Sequence, residues 1–224
     1  MSKADELFGE LRAVVFTRSK WLDSILPPLI FVLLNTISGL TLALVGAFGG
    51  ALLIGIYRLI RRQAWIYALG GVGGVILAGL IAWFIGGAEG YFLPGIITGG
   101  LTALLCVVSV LLKRPLVAWT SYITRRWPLD WYWHSRVRPA YSEVTIIWAL
   151  FFTLRTLIQF ELFQQQAAGT LGIVQLLFGW PALIILLVAS YLYGMWRLQN
   201  LGGPSVEEFK IGQNPPWKSQ RRGF

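Results

Sequence analysis

Charge is scarce in this chain. Asp, Glu, Lys and Arg make up 13% of its 224 residues and hydrophobic residues 56%, whereas a soluble domain carries about 25% charged residues. So little charge argues against a water-soluble globule and for a polytopic membrane protein. Cysteine is nearly absent. The lone Cys106 sits in the apolar run LTALLCVVSVLL, can form no internal disulfide and reads as a small packing residue. The lone histidine, His134, lies among Trp133, Ser135 and Arg136 without Cys, Asp or Glu at ligand spacing. That argues against a metal centre and leaves packing at a surface or interface. Acids number 10 against 19 Lys and Arg, a formal net charge of +9. The excess does not predict a nucleic-acid partner, because the basic residues fall in short clusters between apolar runs. Membrane topology and contact with anionic lipid headgroups account for that pattern. Catalytic signatures are missing too. No G-x-S-x-G occurs, and Gly70-Gly71-Val72-Gly73-Gly74 lacks the Lys-Ser/Thr of a phosphate loop and lies in an apolar run, where glycines serve helix packing. The expectation is a protein that is not an enzyme and takes no cofactor.

What the chain has is apolar sequence. The fold class it predicts is all-α, a polytopic bundle of six transmembrane helices with amphipathic interfacial segments. The predicted spans are residues 25–39, 41–57, 64–85, 94–112, 144–165 and 170–196, within a membrane domain over 21–199. Ser38-Gly39 breaks the first apolar run into limbs of ~24 Å at 1.5 Å per residue, short against a ~30 Å hydrocarbon core. Two short spans and a re-entrant hairpin both fit, and either returns the chain to the same side. Pro181 should kink the sixth span. In residues 1–20, Leu7, Phe8, Leu11, Val14 and Val15 recur at helical intervals among Lys3, Arg12 and Arg18. They predict a helix over 3–18, lying on the membrane surface or docked on the protein. Residues 113–142 form the longest connection, where Trp127, Trp131 and Trp133 stand beside Arg125, Arg126, Arg136 and Arg138, a mixture suited to the headgroup interface. Residues 200–224 turn polar and Gly/Pro-rich and predict a flexible basic tail.

The charges set the topology. With six crossings, 18 of the 19 Lys and Arg residues fall on the side of the N-terminal segment and none in the three opposite loops. The positive-inside rule then places both ends in the cytoplasm. The exception is Arg155, in the middle of EVTIIWALFFTLRTLIQFELFQQ, with Gln159 one turn on. A charge near mid-bilayer costs ~2.5–3.5 kcal/mol on insertion scales unless it is paired or faces a protected interior. Glu89, the one acid in an opposite-side loop, and Glu161 from a neighbouring chain are candidate counter-ions, and Asn35 or Thr98 candidate hydrogen-bond partners. Either a site for an anion, a proton relay or a lipid headgroup, or a structural ion pair, would explain the set. Small residues recur every fourth position: Ala43, Ala47, Ala51 and Gly55, then Gly70, Gly74, Ala78 and Ala82, then Gly95 and Gly99. Such faces let helix backbones approach in lipid, within one bundle or between copies of the chain.

Several segments together resemble a known family. Gly87-Ala88-Glu89-Gly90-Tyr91-Phe92-Leu93-Pro94-Gly95, Arg114-Pro115-Leu116, the set Arg138, Tyr141, Thr145, Trp148, Arg155 and Gln159, and Gly179-Trp180-Pro181 are similar to the signature of the bacterial membrane family DUF3159. Gly87 and Gly90 stand where that pattern suggests an Arg and an acid, and Thr98 where it suggests Asn. The resemblance covers roughly residues 21–199 and extends distantly to septation-protein-A-type membrane proteins. It implies a multi-pass protein of the bacterial cytoplasmic membrane and no established activity. The function expected is that of a scaffold or assembly factor contacting membrane lipids and a protein partner or second copy. The alternative is a small-solute or ion transporter using Arg155 and Glu89.

Overall fold

The computed structural model describes residues 20–61, 65–221 and 223–224, so the helix expected over 3–18 lies outside the described residues. Among the described residues no strand occurs. The elements are α1 (Lys20–Ile60), α2 (Trp65–Ile85), a 3-10 turn (Ala88–Phe92), α3 (Leu93–Leu111), α4 (Leu116–Arg125), α5 (Leu129–Trp133), α6 (Arg138–Gln164), α7 (Ala168–Leu177), α8 (Trp180–Leu201) and α9 (Val206–Lys210). Helices are what long apolar runs must form in lipid, since only intra-segment bonds satisfy the backbone there. Among the described residues four stretches are long and apolar enough to cross a membrane: Leu26–Ile60, Ala88–Leu111, Arg138–Gln164 and Ala168–Leu201, with Leu69–Ile85 a shorter apolar helix.

Helix α1 is two limbs. Gly39 adopts φ 79°, ψ 179°, a combination that essentially only glycine tolerates. Past it the chain doubles back: a Cβ on Gly50 would lie 2.9 Å from Ile30 Cδ1, and one on Gly46 would collide with Leu34. Positions 12 and 20 residues apart in sequence touch, so the limbs 20–38 and 40–60 are antiparallel. Each is about 30 Å long at 1.5 Å per residue, longer than the sequence suggested because helix continues beyond the apolar run at both ends. The second break falls at Phe178-Gly179. A Cβ on Gly179 would sit 2.7 Å from the Gln175 carbonyl oxygen, and Pro181 takes a place in the first turn of α8, where its missing N–H is harmless. The kink expected at Pro181 is therefore a full interruption between two helices.

The chain divides into two compact units, Met1–Ile97 with Thr156–Ala182, and Thr98–Arg155 with Leu183–Phe224. In the first, Phe31, Ala43, Ala47, Ala78, Ala82, Tyr91, Phe92, Ile96 and Leu171 form the core. Ala43, Ala47, Ala51 and Gly55 are all buried, as are Ala78 and Ala82, whereas Gly70 and Gly74 are exposed. Only part of the α2 stripe thus packs within the described chain. The 3-10 turn locks onto α2 because Gly90 has no side chain: its Cβ would lie 2.8 Å from Ala82 Cα. Tyr91 stacks on Phe31 with ring centroids 4.1 Å apart.

The second unit corrects two expectations. Trp131 belongs to its core with Tyr132, Val137, Ala140, Tyr141 and Leu198. It is fully buried, while Trp127 and Trp133 are half-buried, so of the three only these two keep surface for a headgroup region. Burial of Trp131 is possible because its indole N–H donates to the Pro204 carbonyl at 2.9 Å, which satisfies the polar end of the ring. The tail after Gly202, read as flexible, is packed. Ser205 and Glu208 form a reciprocal capping box on α9, the Lys218 N–H donates to Glu208 at 2.8 Å, and the Phe224 ring stacks on Tyr141 at 4.4 Å and 8°. Polar composition suggested disorder, but Ser205 and the Lys218 N–H both bond Glu208, and the aromatic residues at positions 217 and 224 have rings to meet.

Candidate functional site

In the first unit the polar centre is built between the C-terminal part of α6 and the C-terminal part of α7. Gln159 is completely buried, and its amide nitrogen donates to Gln175 Oε1. Gly95, at the start of α3, makes room for this pair: a Cβ there would lie 3.1 Å from Gln175 Nε2. Two polar atoms nearby on α6, Gln159 Oε1 and Thr156 Oγ1, are buried and have no hydrogen-bond partner. Gln175 went unnoticed in the sequence, although it is the one polar side chain in LGIVQLLF, residues 171–178. An isolated amide in an apolar run was the available signal. Polarity inside the membrane segments is therefore shared by two helices rather than concentrated on one.

The other candidates scatter. Glu89 is buried in the 3-10 turn with 6% exposure, its carboxylate folded back over Gly87, where a Cβ would collide with it. Of the departures from the family pattern, Gly90 is closed to a side chain by the Ala82 backbone, whereas a side chain at Gly87 would require the Glu89 carboxylate to move. Glu161 is exposed and accepts a 2.8 Å bond from Gln165 Nε2 on its own helix. Asn35 is half-buried. Of these candidates, Gln159 joins Gln175 across two helices, and Glu161 joins Gln165 on its own helix.

In the second unit Arg155 is buried, with 9% exposure, at the point of α6 one turn before Gln159. Thr98 is exposed, and its carbonyl accepts from Thr102 Oγ1 at 2.8 Å; Gly99 is buried. Polar contacts the sequence did not reveal link α6 to α8. Glu143 accepts from both Nε and Nη2 of Arg197, at 2.7 and 2.8 Å, and from the Tyr193 hydroxyl at 2.9 Å. The Trp148 indole N–H donates to Ser190 Oγ at 2.8 Å. These bonds tie the two helices together at their ends and middle, which reads as architecture. His134 accepts the Arg136 N–H on Nδ1 at 3.2 Å and sets its ring edge-on to Trp217. Burial, then the neighbouring Arg136 charge, pushes the His134 imidazole below its ordinary range, so it is neutral around neutral pH. Among the described residues no group of three His, Cys, Asp or Glu side chains comes together to hold a metal.

A family model described as a protein of unknown function, DUF3159, matches residues 18–197. No curated protein and no solved structure matches the chain.

Proposed function

The chain belongs to the DUF3159 family, and we propose that it is a six-crossing protein of the bacterial cytoplasmic membrane that serves as a scaffold or assembly factor. Six crossings follow if the limbs of α1 each cross, with α2, α3, α6 and the α7–α8 pair completing the set. Both ends then lie on the side that holds 18 of the 19 Lys and Arg residues. The observation that carries the scaffold reading is the aromatic core built by residues 117–144 with the tail. It orders these residues in one unit, which displays Ile123 and Ile211, 63% and 76% exposed, and also exposes Lys113, Arg114, Arg126 and Arg136. Exposed apolar anchors on a unit that also exposes basic residues suit a protein partner lying against anionic lipid.

Photo-crosslinkers placed at Ile123 and Ile211 in native membranes test it. A scaffold yields one adduct of defined mass from both positions, the Ile211 adduct being lost on Ile123→Glu, while a crosslinker at exposed Leu150 gives lipid adducts only. Lipid adducts alone from all three positions would refute the scaffold. The second reading, a small-solute transporter, is favoured by the Gln159–Gln175 pair, which spreads polarity over two helices. It predicts solute flux in proteoliposomes that falls on Gln159→Leu.

A further inference from the structure

We infer that Thr156 and Gln159 hold an uncharged ligand through its hydroxyl group, either a water molecule or the hydroxyl of a small solute. The first ground is the behaviour of the other helical hydroxyls. Thr36, Thr102, Thr145 and Ser190 each donate to the carbonyl four residues back, at 2.6–2.8 Å. That local bond is the usual way to satisfy a hydroxyl in an apolar helix. Thr156 makes none: its Oγ1 is buried without a partner. The second ground is Gln159, fully buried, whose N–H is committed to Gln175 while Oε1 has nothing to accept. Buried polar atoms in native proteins are nearly always satisfied, and an exception calls for a water, an ion or a role.

The open atoms define the ligand. Residues three apart on a helix have Cβ atoms about 5–6 Å apart, a span one oxygen can bridge by accepting from the Thr156 hydroxyl and donating to Gln159 Oε1. An anion would meet the acceptor oxygen of Gln159 unfavourably. A cation would need carboxylate ligands and would lie one helical turn from the Arg155 charge. A neutral O–H group meets both open atoms correctly. Water makes about three such bonds when it occupies a buried site. The inference rests only on these helices being surrounded by lipid, and is independent of the scaffold reading.

The test is Thr156→Val, which keeps the shape and removes the hydroxyl, with Thr156→Ser as the variant that restores it. The full chain is reconstituted in nanodiscs. If the hydroxyl is idle, replacing it with a methyl removes an unsatisfied buried group and raises Tm. If it holds a ligand, Tm falls by about 2–4 °C or more, and Thr156→Ser recovers it. Radiolytic hydroxyl-radical labelling identifies the occupant. Bound water gives modification in the α6 segment around Thr156 that drops several-fold in Thr156→Val. A solute hydroxyl instead appears as a saturable rise in Tm with glycerol in the wild type, absent in Thr156→Val. A raised or unchanged Tm for Thr156→Val overturns the proposal, as does a wild type with neither internal labelling nor a glycerol response.

Discussion

Replacing Gly90 and Gly74 by alanine, one at a time, should move stability in opposite directions. At Gly90 the new Cβ would lie 2.8 Å from Ala82 Cα and 3.2 Å from Ala82 N. Carbon atoms pack best at about 3.5–4.0 Å, and both clashing atoms are backbone, so no side chain can swing aside. Either α2 or the 3-10 turn must move, and overpacking of this kind costs about 1–3 kcal/mol. At Gly74 no described atom lies within 4 Å of the added Cβ, and the site is a helix interior where alanine is favoured over glycine by about 0.8–1.0 kcal/mol. For a chain of this length each kcal/mol moves Tm by about 2–4 °C. Thermal unfolding in nanodiscs, followed by tryptophan fluorescence, should therefore show Gly90→Ala lower by about 2–12 °C and Gly74→Ala higher by up to about 4 °C. Equal tolerance of the two changes would refute the seating of the 3-10 turn on α2. A fall for Gly74→Ala would show another backbone pressed against that face, as a second copy of the chain would do.

Other outcomes can be checked alongside. Gln159→Leu leaves Gln175 Oε1 without the bond it accepts, and should destabilise the protein by about 1–3 kcal/mol, partly recovered in Gln159→Leu/Gln175→Leu; full additivity of the two changes would argue against the pairing. The Ser205 and Lys218 backbone N–H groups, in that order, hold the Glu208 carboxyl below its ordinary range. Their contribution is complete above the ordinary carboxylate value and is lost as pH falls through the lowered one. Protease cleavage within residues 211–219 should therefore accelerate on acidification toward pH ~4, and Glu208→Gln should cleave fast at every pH. For topology, Gln165→Cys should react with an impermeant thiol reagent on intact cells and Ser135→Cys should not, against a background in which the native Cys106 is buried; labelling of Ser135→Cys alone would invert the orientation.

Helices were legible in this sequence because lipid leaves a long apolar run little else to form. The break at Gly39 was legible for the same reason, as a glycine inside a run too long for one crossing. What stayed hidden was long-range pairing. Trp131 looked like its neighbours Trp127 and Trp133, and only the carbonyl of Pro204, far along the chain, decides that its indole can be buried. The tail was misread because composition reports the cost of ordering a polar segment but not the ring of Tyr141 that receives Phe224. Gln159 stands out in the sequence as a polar residue one turn from Arg155 in an apolar run, and it is fully buried. Its partner Gln175 was missed because a neutral amide perturbs hydropathy far less than Arg155 does.

The Phe224 contacts bear on when this protein can finish folding. The Arg125 guanidinium Nε donates to the Phe224 oxygen at 3.1 Å across a separation of 99 residues. At synthesis rates of 5–20 residues per second, the donor exists about 5–20 s before its acceptor emerges. For that interval the rings of Trp131, Tyr132 and Tyr141 stand without the segment that covers them, while the rest of α6, then α7 and α8, are still being made. Assembly of this aromatic core is therefore a late event, completed only after the last of the apolar helices has been made. Truncations that spare every span should give chains that insert normally and are then recognised as incomplete by the cell's proteases.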